Sequence, residues 1–244
     1  WAVAQQPSHY ILGEQELEGV DVYDILHASD QSYYLATSNG LMGYDGYNFS
    51  TFLCSDMLRT SVFNLVEDYS GVVYCNNLSG QVFRFKDGAC ELYYTIPDSS
   101  VSPDIGLEID NLNHLVIKAN GLLILDANAT LKSQLLLGHI GQMARLPDSS
   151  LMVHTSQNQF AYLKNAKISY ATDSEWQEGE ADVWNSVLFQ DKVYQNSATT
   201  CELYSNSGGK RKLVFDPFKI TSKKQSHRIY ATNSYMWLAP NSVG

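Results

Sequence analysis

A repeat of about 40 residues runs through this sequence and constrains its fold more than any other feature. Residues 25–46 and 65–88 share an apolar pair, a turn, a large apolar residue, a small polar residue and a glycine, in the same order and spacing. The large apolar positions recur at intervals of 40, 41, 37, 42 and 43 residues. They are Tyr34, Tyr74, Leu115, Met152, Tyr194 and Trp237. The chain is therefore a series of similar structural units.

Each unit divides into short segments that favour strands. In the second unit these segments cover residues 63–67, 72–76, 82–86 and 91–95, and turn residues separate them. No unit has apolar residues at the spacing of a helical repeat. Four strands in about 40 residues are typical of a propeller blade, so we predict an all-β fold, a β-propeller of four-stranded blades.

The hairpin after each large apolar residue has its own pattern. Gly40, Gly80 and Gly121 hold the turn position of the first three units, which predicts a positive φ there. Thr200 and Val243 do not tolerate that conformation, so the last two units have a different turn or a shift of one residue. The small polar residues before the turns are Thr37, Asn77, Lys118, Thr155, Ser197 and Pro240.

The period also predicts the extent of the propeller. About six blades are expected, and the sixth stops after its second strand. Their approximate ranges are 20–58, 60–98, 102–137, 139–171, 183–216 and 226–244. A ring must close to protect its edge strands, and seven blades of this period need about 290 residues. We therefore expect residues 7–244 to be part of a larger, seven-bladed propeller, and the chain to be a fragment of a longer polypeptide.

The N-terminus and the cysteines bear on the compartment. Residues 2–4 have the small-x-small pattern that ends a secretory signal, so residues 1–6 are expected to be a signal-peptide remnant and the chain to be exported. The cysteines include no C-x-x-C pair, which argues against a zinc or thioredoxin-like site. An oxidising compartment permits a disulfide, but buried free thiols are favoured for most of the four. They are Cys54, Cys75, Cys90 and Cys201.

Charge and composition exclude three classes of protein. With 26 acidic and 16 basic residues, the formal charge of −10 repels phosphate backbones and argues against a nucleic-acid partner. No run of about 18 apolar residues occurs, so no transmembrane segment is expected in this chain. A hydrophobic content of 44% argues against a disordered chain.

The first two units contain four motifs in a fixed order. They are a V-x-x-I strand at 22–25, a hairpin at 35–41, a Y-D-G-x-x-F close at 44–49 and a D-x-x-G-type turn at 68–71. This series resembles the two-component regulator propeller repeat, although Tyr34 stands where that repeat has Trp. Later units keep the spacing and lose most of the identities.

The resemblance implies a setting for the chain. Members of that family form the periplasmic sensor region of membrane-anchored hybrid two-component histidine kinases in Bacteroidetes, which respond to oligosaccharides. The resemblance therefore implies an oligosaccharide ligand, and further propeller and immunoglobulin-like domains as partners in the same receptor. It also allows a homodimer of the full-length receptor. Kinase activity would belong to the rest of that receptor.

Catalytic patterns are not found in the sequence. The motifs of serine hydrolases, zinc peptidases and nucleotide-binding loops are missing, and the six histidines are scattered. Carboxylates from different blades can form an acid–base pair for glycoside chemistry, and Glu67 and Asp68 are the obvious candidates. Their position in a D-x-x-G turn favours capping of that turn's own N–H groups instead. We therefore predict no catalytic residue, no metal and no cofactor.

One column of residues indicates a ligand site. It lies ten positions before the large hairpin residue, on the innermost strand of each unit, where the third unit has Ile105 or Gly106. The other members are Asp24, Asn64, Gln142, Trp184 and His227. Because innermost strands line the central channel, such a ring suits hydrogen bonding to a sugar and stacking on it. The alternative is a polar channel that holds only water.

Two segments depart from the repeat. Residues 173–182 place five carboxylates around Trp176, which predicts a sugar platform, a cation site or a solvated acidic loop. Residues 210–228 carry seven basic residues and include Arg228, which suits an anionic sugar, a pairing with the acidic loop or a soluble outer edge.

Together these features predict a periplasmic ligand-recognition propeller without enzymatic activity, the N-terminal part of a hybrid two-component sensor. Two alternatives stay open. The first is a carbohydrate-active propeller enzyme, a glycoside hydrolase or lyase, and the second is a structural spacer that binds nothing. Binding without turnover would indicate the recognition propeller, turnover would indicate the enzyme, and no binding at all would indicate the spacer.

Overall fold

Strands account for all the regular secondary structure of the described residues in the computed structural model. The described residues are 12–97, 104–135, 137, 140–146, 148–155, 160–170, 183–189, 192–197, 203–207, 210–215, 227–231 and 236–240. Most side chains are described through residue 170, and beyond it only the strand backbones are. In this part of the chain no helix is long and apolar enough to cross a membrane.

The described strands form five four-stranded antiparallel sheets and a final pair. The first sheet contains β1 (Val22–His27), β2 (Tyr33–Thr37), β3 (Gly40–Tyr44) and β4 (Phe49–Phe52). The second contains β5 (Phe63–Glu67), β6 (Val73–Asn76), β7 (Gln81–Lys86) and β8 (Ala89–Thr95). The third contains β9 (Gly106–Ile109), β10 (Leu115–Ala119), β11 (Gly121–Leu125) and β12 (Leu131–Leu135).

The remaining sheets follow the same plan. The fourth contains β13 (Ile140–Arg145), β14 (Leu151–Thr155), β15 (Phe160–Lys164) and β16 (Lys167–Tyr170). The fifth contains β17 (Val183–Phe189), β18 (Lys192–Ser197), β19 (Leu203–Ser207) and β20 (Lys210–Phe215). The last pair is β21 (His227–Ala231) and β22 (Met236–Pro240).

Each sheet is a meander, because its strands lie side by side in chain order. The first strand of each sheet contacts the first strand of the next sheet, from β1 to β21. The first strands therefore form an inner edge shared by all the sheets, and the fourth strands lie outermost. This is the arrangement of propeller blades, which we number one to six in chain order.

The hydrophobic core lies between consecutive blades. One cluster joins blades one and two and contains Leu41 and Phe83. A second joins blades two and three and contains Tyr74 and Ile117, and a third joins blades three and four. Because an interior blade buries both faces, its middle strands β10 and β11 are buried at every residue.

The hairpin between the second and third strands has the predicted conformation in the first three blades. Gly40, Gly80 and Gly121 have φ values of 108°, 76° and 110°. The buried Thr37 hydroxyl donates to the Gly40 carbonyl oxygen at 2.7 Å, so the small polar position caps the turn. The buried Asn77 has the same role in blade two, where its Oδ1 accepts from two backbone N–H groups. The turn positions of the last three units, which are Asn158, Thr200 and Val243, lie outside the described residues.

In blade three, the structure shifts the alignment of the repeats by one residue. Tyr34, Tyr74 and Met152 each pair with the inner-strand residue two positions before the following turn. In blade three that partner is Glu108, and it pairs with Val116 rather than with Leu115. The equivalent position is therefore Val116, and the inner-strand residue ten positions before it is Gly106 rather than Ile105.

A disulfide joins the outer parts of blades one and two. Cys54, just after β4, is bonded to Cys90 in β8, with their Cα atoms 4.4 Å apart. Cys75 is a buried free thiol. The preference for free thiols was therefore wrong for Cys54 and Cys90 and is confirmed for Cys75, while Cys201 lies outside the described residues.

Candidate functional site

The predicted ligand column coincides with irregular pairing of the innermost strands. The pairing with the second strand shifts register between Val22 and Asp24 in β1, and between Phe63 and Val66 in β5. Equivalent shifts occur in β13, between Ile140 and Met143, and in β17, between Val183 and Asn185. A β-bulge of this kind changes the direction of a side chain and is frequent near functional sites. The column positions of blades one, two, four and five therefore lie where the inner strands depart from regular geometry, whereas β9 at Gly106 and β21 at His227 pair regularly.

In blade one, Asp24 binds the neighbouring blade. One carboxylate oxygen accepts the Leu65 N–H of blade two at 2.7 Å, and the other accepts the Ile25 N–H at 2.9 Å. Burial raises the pKa of Asp24 above its ordinary value of 3.8, although these two hydrogen bonds act in the opposite direction. Asp24 is thus a link between the inner strands of blades one and two.

Asn64 has the same role one blade further on. Its side-chain amide donates to Asn76 Oδ1 at 2.9 Å and to the Ile105 carbonyl oxygen of blade three at 2.8 Å. Asn64 also has a left-handed φ of 53°, which Asn tolerates better than most residues. Blade three continues the column with Gly106, which has no side chain to extend the series.

The later members of the column also lie on inner strands. Gln142, Trp184 and His227 lie on the inner strands β13, β17 and β21, as predicted, and only their backbone is described. Arg228 also lies on β21, again with only its backbone described. Trp176 and the acidic segment around it lie outside the described residues.

The Asn64 link gives a direct stability prediction. Asn64→Asp keeps the shape of the side chain but replaces its donors by a carboxylate that faces two oxygens. We expect the free energy of unfolding to fall by about 1–3 kcal/mol at neutral pH, measured by chemical denaturation. Asn113→Asp is the matched control, since Asn113 also has a left-handed φ and uses its Oδ1 to accept the Tyr69 N–H. Equal losses in the two variants would contradict the donor role of Asn64.

The sequence column missed two charged residues that the inner strands bring together. Glu108 of β9 and Arg145 of β13 form an ion pair of 3.6 Å, and both side chains are partly buried. Burial raises the pKa of Glu108, the charge of Arg145 lowers it, and the charge of Asp24 raises it. The Arg145 guanidinium also lies 5.6 Å from the ring centre of Tyr69. A charged residue between Leu107 and Ile109 was the sequence signal that could have revealed this pair.

The pKa of Glu108 predicts a pH dependence. A pKa raised above the ordinary 4.5 means that the folded protein holds this proton more tightly than the unfolded chain. Its contribution to stability is present below pH 4.5 and is lost as the pH rises through the folded pKa. In Glu108→Gln the free energy of unfolding should therefore fall less than in the wild type as the pH is raised from 4.5. Denaturation curves measured at several pH values give this change. If the free energy of unfolding fell equally with pH in both proteins, the assignment would be contradicted.

The two carboxylates in the D-x-x-G turn of blade two have structural contacts. Asp68 Oδ1 accepts the N–H groups of Ser70 and Val72 at 2.8 and 3.0 Å, so its predicted capping role is confirmed. Glu67 differs from the prediction, because its two oxygens accept the Ser29 N–H of blade one at 3.0 and 2.9 Å. Glu67 thus links two blades.

The described residues contain no group of three or more His, Cys, Asp or Glu side chains that could hold a metal ion. The candidate site lies on the inner strands. It consists of the column residues together with the Glu108–Arg145 pair.

Comparison with solved structures shows the fold. Virginiamycin B lyase from Staphylococcus aureus matches with a TM-score of 0.67 and 11% identity, over 88% of this chain and 76% of the lyase. The chain is a β-propeller. The extracellular domain of a hybrid two-component system from B. thetaiotaomicron matches with a TM-score of 0.65 and 10% identity, over 90% of this chain and 32% of that one. PorZ, a surface component of the type-IX secretion system of Porphyromonas gingivalis, matches with a TM-score of 0.66 and 12% identity, over 91% of this chain and 32% of PorZ.

The propeller predicted from the repeat is thus confirmed, and these similarities extend to the fold alone. No protein-family model matches the chain, and no curated protein matches its sequence. The propeller spans about a third of the two-component extracellular domain and of PorZ. The similar structures include both an enzyme and a sensor domain, so the function has to be argued from the residues.

Proposed function

We propose that this propeller is an exported ligand-recognition domain of a hybrid two-component sensor, and that its ligand is an oligosaccharide. The observation that carries the proposal is the agreement between two independent features. The first two units have the motifs of the two-component regulator repeat, and the extracellular domain of a two-component system has the same fold over 90% of this chain. The Cys54–Cys90 disulfide supports export, since such bonds persist in oxidising compartments.

The ligand contacts of the proposal lie on the later blades. Asp24 and Asn64 are engaged with neighbouring blades, so we assign the ligand to Gln142, Trp184 and His227 of β13, β17 and β21. An indole offers a face for a sugar ring, and amide and imidazole groups bind hydroxyls. Trp176 and Arg228 are assigned as further contacts, for stacking and for an anionic group of the sugar.

The Glu108–Arg145 pair adds polar groups, without net charge, to the same inner edge. Both residues belong to inner strands, and Arg145 lies on β13 three residues after Gln142. Because the Arg145 guanidinium is already paired with Glu108, the anionic group of a uronic acid or a sulfated sugar is assigned to Arg228 of β21, whose guanidinium suits a carboxylate or a sulfate. The assignment therefore favours acidic oligosaccharides over neutral ones.

Signalling in this proposal requires no chemistry in the propeller. A ligand shifts a receptor between two arrangements only by its difference in affinity for them. We therefore expect binding without turnover.

Titration of the 244-residue chain with a panel of neutral and acidic oligosaccharides tests the proposal, with calorimetry for binding and a reducing-end assay for turnover. We expect heat from at least one acidic member and no new reducing ends. Trp184→Ala should weaken that binding by about tenfold, whereas Tyr47→Ala, an exposed aromatic at the β3–β4 turn, should leave it unchanged. Turnover would support the propeller enzyme instead, and no heat from any member would support the structural spacer.

A further inference from the structure

A stacked aromatic pair lies on the inner strands of blades one and two. Tyr23 of β1 and Phe63 of β5 have ring centres 4.5 Å apart and an angle of 28° between their planes. Each of them lies one position before a member of the ligand column, Asp24 or Asn64. The pair therefore joins two neighbouring inner strands directly beside that column.

Packing between the blades does not account for this pair. The core cluster between blades one and two includes Leu26 of β1 and Leu65 of β5, but neither aromatic ring. Tyr23 is 37% exposed. The repeat does not require an aromatic residue at this position either, since blades three and four have Ile105 and Gly141 there. An exposed aromatic ring that neither the core nor the repeat needs is a candidate binding group.

The neighbours of the Tyr23 ring hold it in place. The register of β1 shifts between Val22 and Asp24, so Tyr23 is the extra residue of a β-bulge, which redirects its side chain. Phe63 covers one face of the ring. Asp24 fixes the backbone just after the bulge, because its carboxylate accepts the Leu65 N–H of blade two. A ring positioned in this way loses little side-chain entropy when a ligand stacks on it.

Polar groups lie on the same rim as the pair. Ser38, on the β2–β3 turn, accepts the Asp21 N–H with its hydroxyl oxygen at 3.1 Å. The 53–60 loop, which joins β4 to β5, ends at the same turn, where the Thr60 hydroxyl donates to the Ser38 carbonyl oxygen at 3.1 Å. The Ser61 hydroxyl donates to that oxygen as well, at 3.3 Å. The segments that enter β1 and β5 thus meet at Ser38, and they bring one carboxylate and three hydroxyl groups to the rim that holds the two rings. An aromatic surface with a few polar groups beside it is typical of small-ligand sites.

We propose that Tyr23, backed by Phe63, is a stacking platform for one ring of the oligosaccharide ligand, and that this ring is a neutral sugar. The inference rests on the recognition function proposed above and adds to it a subsite on blade one. The C–H face of a sugar ring stacks on the aromatic ring, and the sugar hydroxyls then bind the neighbouring polar groups. The exposed Asp21 carboxylate repels an acidic unit at this position, whereas Arg228 of β21 suits one. The ligand is therefore expected to contain both kinds of unit.

Calorimetric titration of the 244-residue chain with oligosaccharides that contain both neutral and acidic units tests the platform. Tyr23→Ala should weaken the binding of a member that binds the wild type by about tenfold, because one stacked ring is lost. Tyr23→Phe keeps the stacking surface and should retain most of the affinity. Tyr33→Ala is the matched control, since Tyr33 is 43% exposed and stacks on His27 with ring centres 4.6 Å apart, but lies at the opposite rim. It should leave binding unchanged.

The outcomes distinguish the platform from the recognition function on which it rests. Unchanged binding in Tyr23→Ala, or equal losses in Tyr23→Ala and Tyr33→Ala, would overturn the platform and leave the recognition function standing. A wild type that binds no oligosaccharide would overturn both. Phe63→Leu removes the backing ring and should weaken binding in the same direction, which gives a second variant if melting curves show that Tyr23→Ala is unfolded.

Discussion

Removal of the Cys54–Cys90 disulfide is expected to lower the free energy of unfolding by about 3–4 kcal/mol. The bond closes a loop with a sequence separation of 36 residues, and it restricts the unfolded chain in proportion to the logarithm of that length. In the folded protein it also joins the loop after β4 of blade one to β8 of blade two, beside their shared core. Chemical denaturation of Cys54→Ser/Cys90→Ser, with and without a reducing agent, measures the effect.

The third described cysteine provides the control for this prediction. Cys75 is fully buried, and burial raises the pKa of its thiol to about 12, so it stays protonated and exchanges slowly. A reducing agent should therefore destabilise the wild type and Cys75→Ala alike, and leave the double serine variant unchanged. An unchanged wild-type denaturation curve under reducing conditions would show that the bond does not form in solution.

Phe83→Ala is expected to lower the free energy of unfolding by about 3–5 kcal/mol. Phe83 of β7 is fully buried in the core between blades one and two, where it belongs to the same cluster as Tyr34 and Leu41. Its removal leaves a cavity that the surrounding strands of two sheets cannot close. Chemical denaturation followed by circular dichroism measures the loss.

Tyr47→Ala separates burial from aromatic character in this experiment. Tyr47 is an exposed aromatic in blade one, so its loss should change the free energy of unfolding by less than about 0.5 kcal/mol. If Phe83→Ala were equally mild, the two blades would not share a packed core. The stacking of blades inferred from the repeat would then be wrong at its first interface.

The sequence predicted the blades well because their turns have strict backbone requirements. The first strand of blade two has the predicted bounds, Phe63–Glu67, and the other three begin within two residues of the predicted positions. Gly40 and Gly121 mark turns whose φ only glycine adopts easily. Blade three was misaligned by one residue, because Leu115 and Val116 are both buried and apolar, and hydrophobicity alone does not distinguish them.

The disulfide could not be read from the sequence, because it depends on how two blades pack. Cys54 and Cys90 belong to different units, and their spacing fits no short motif. Their proximity arises only when the loop after β4 lies against β8 of the next blade, where the Ser55 N–H donates to the Cys90 carbonyl oxygen.

The sequence predicted that the column residues lie on the inner strands, but not the contacts that the first two of them make. Asp24 and Asn64 lie on the inner strands as expected, yet both bind neighbouring blades, which no single repeat reveals. The same reason explains Glu67, whose partner Ser29 belongs to blade one. Glu108 and Arg145 were missed because they occupy different columns and meet only across two strands. Contacts between units are thus what a repeat-based interpretation omits.

Hydrogen–deuterium exchange of the 244-residue chain, with and without a bound acidic oligosaccharide, tests most directly whether the inner strands of the later blades recognise a ligand. Binding there predicts slower amide exchange in β13, β17 and β21, and unchanged exchange in the outer strands β4, β8 and β12. Slower exchange confined to the outer strands or to the 53–60 loop would contradict it.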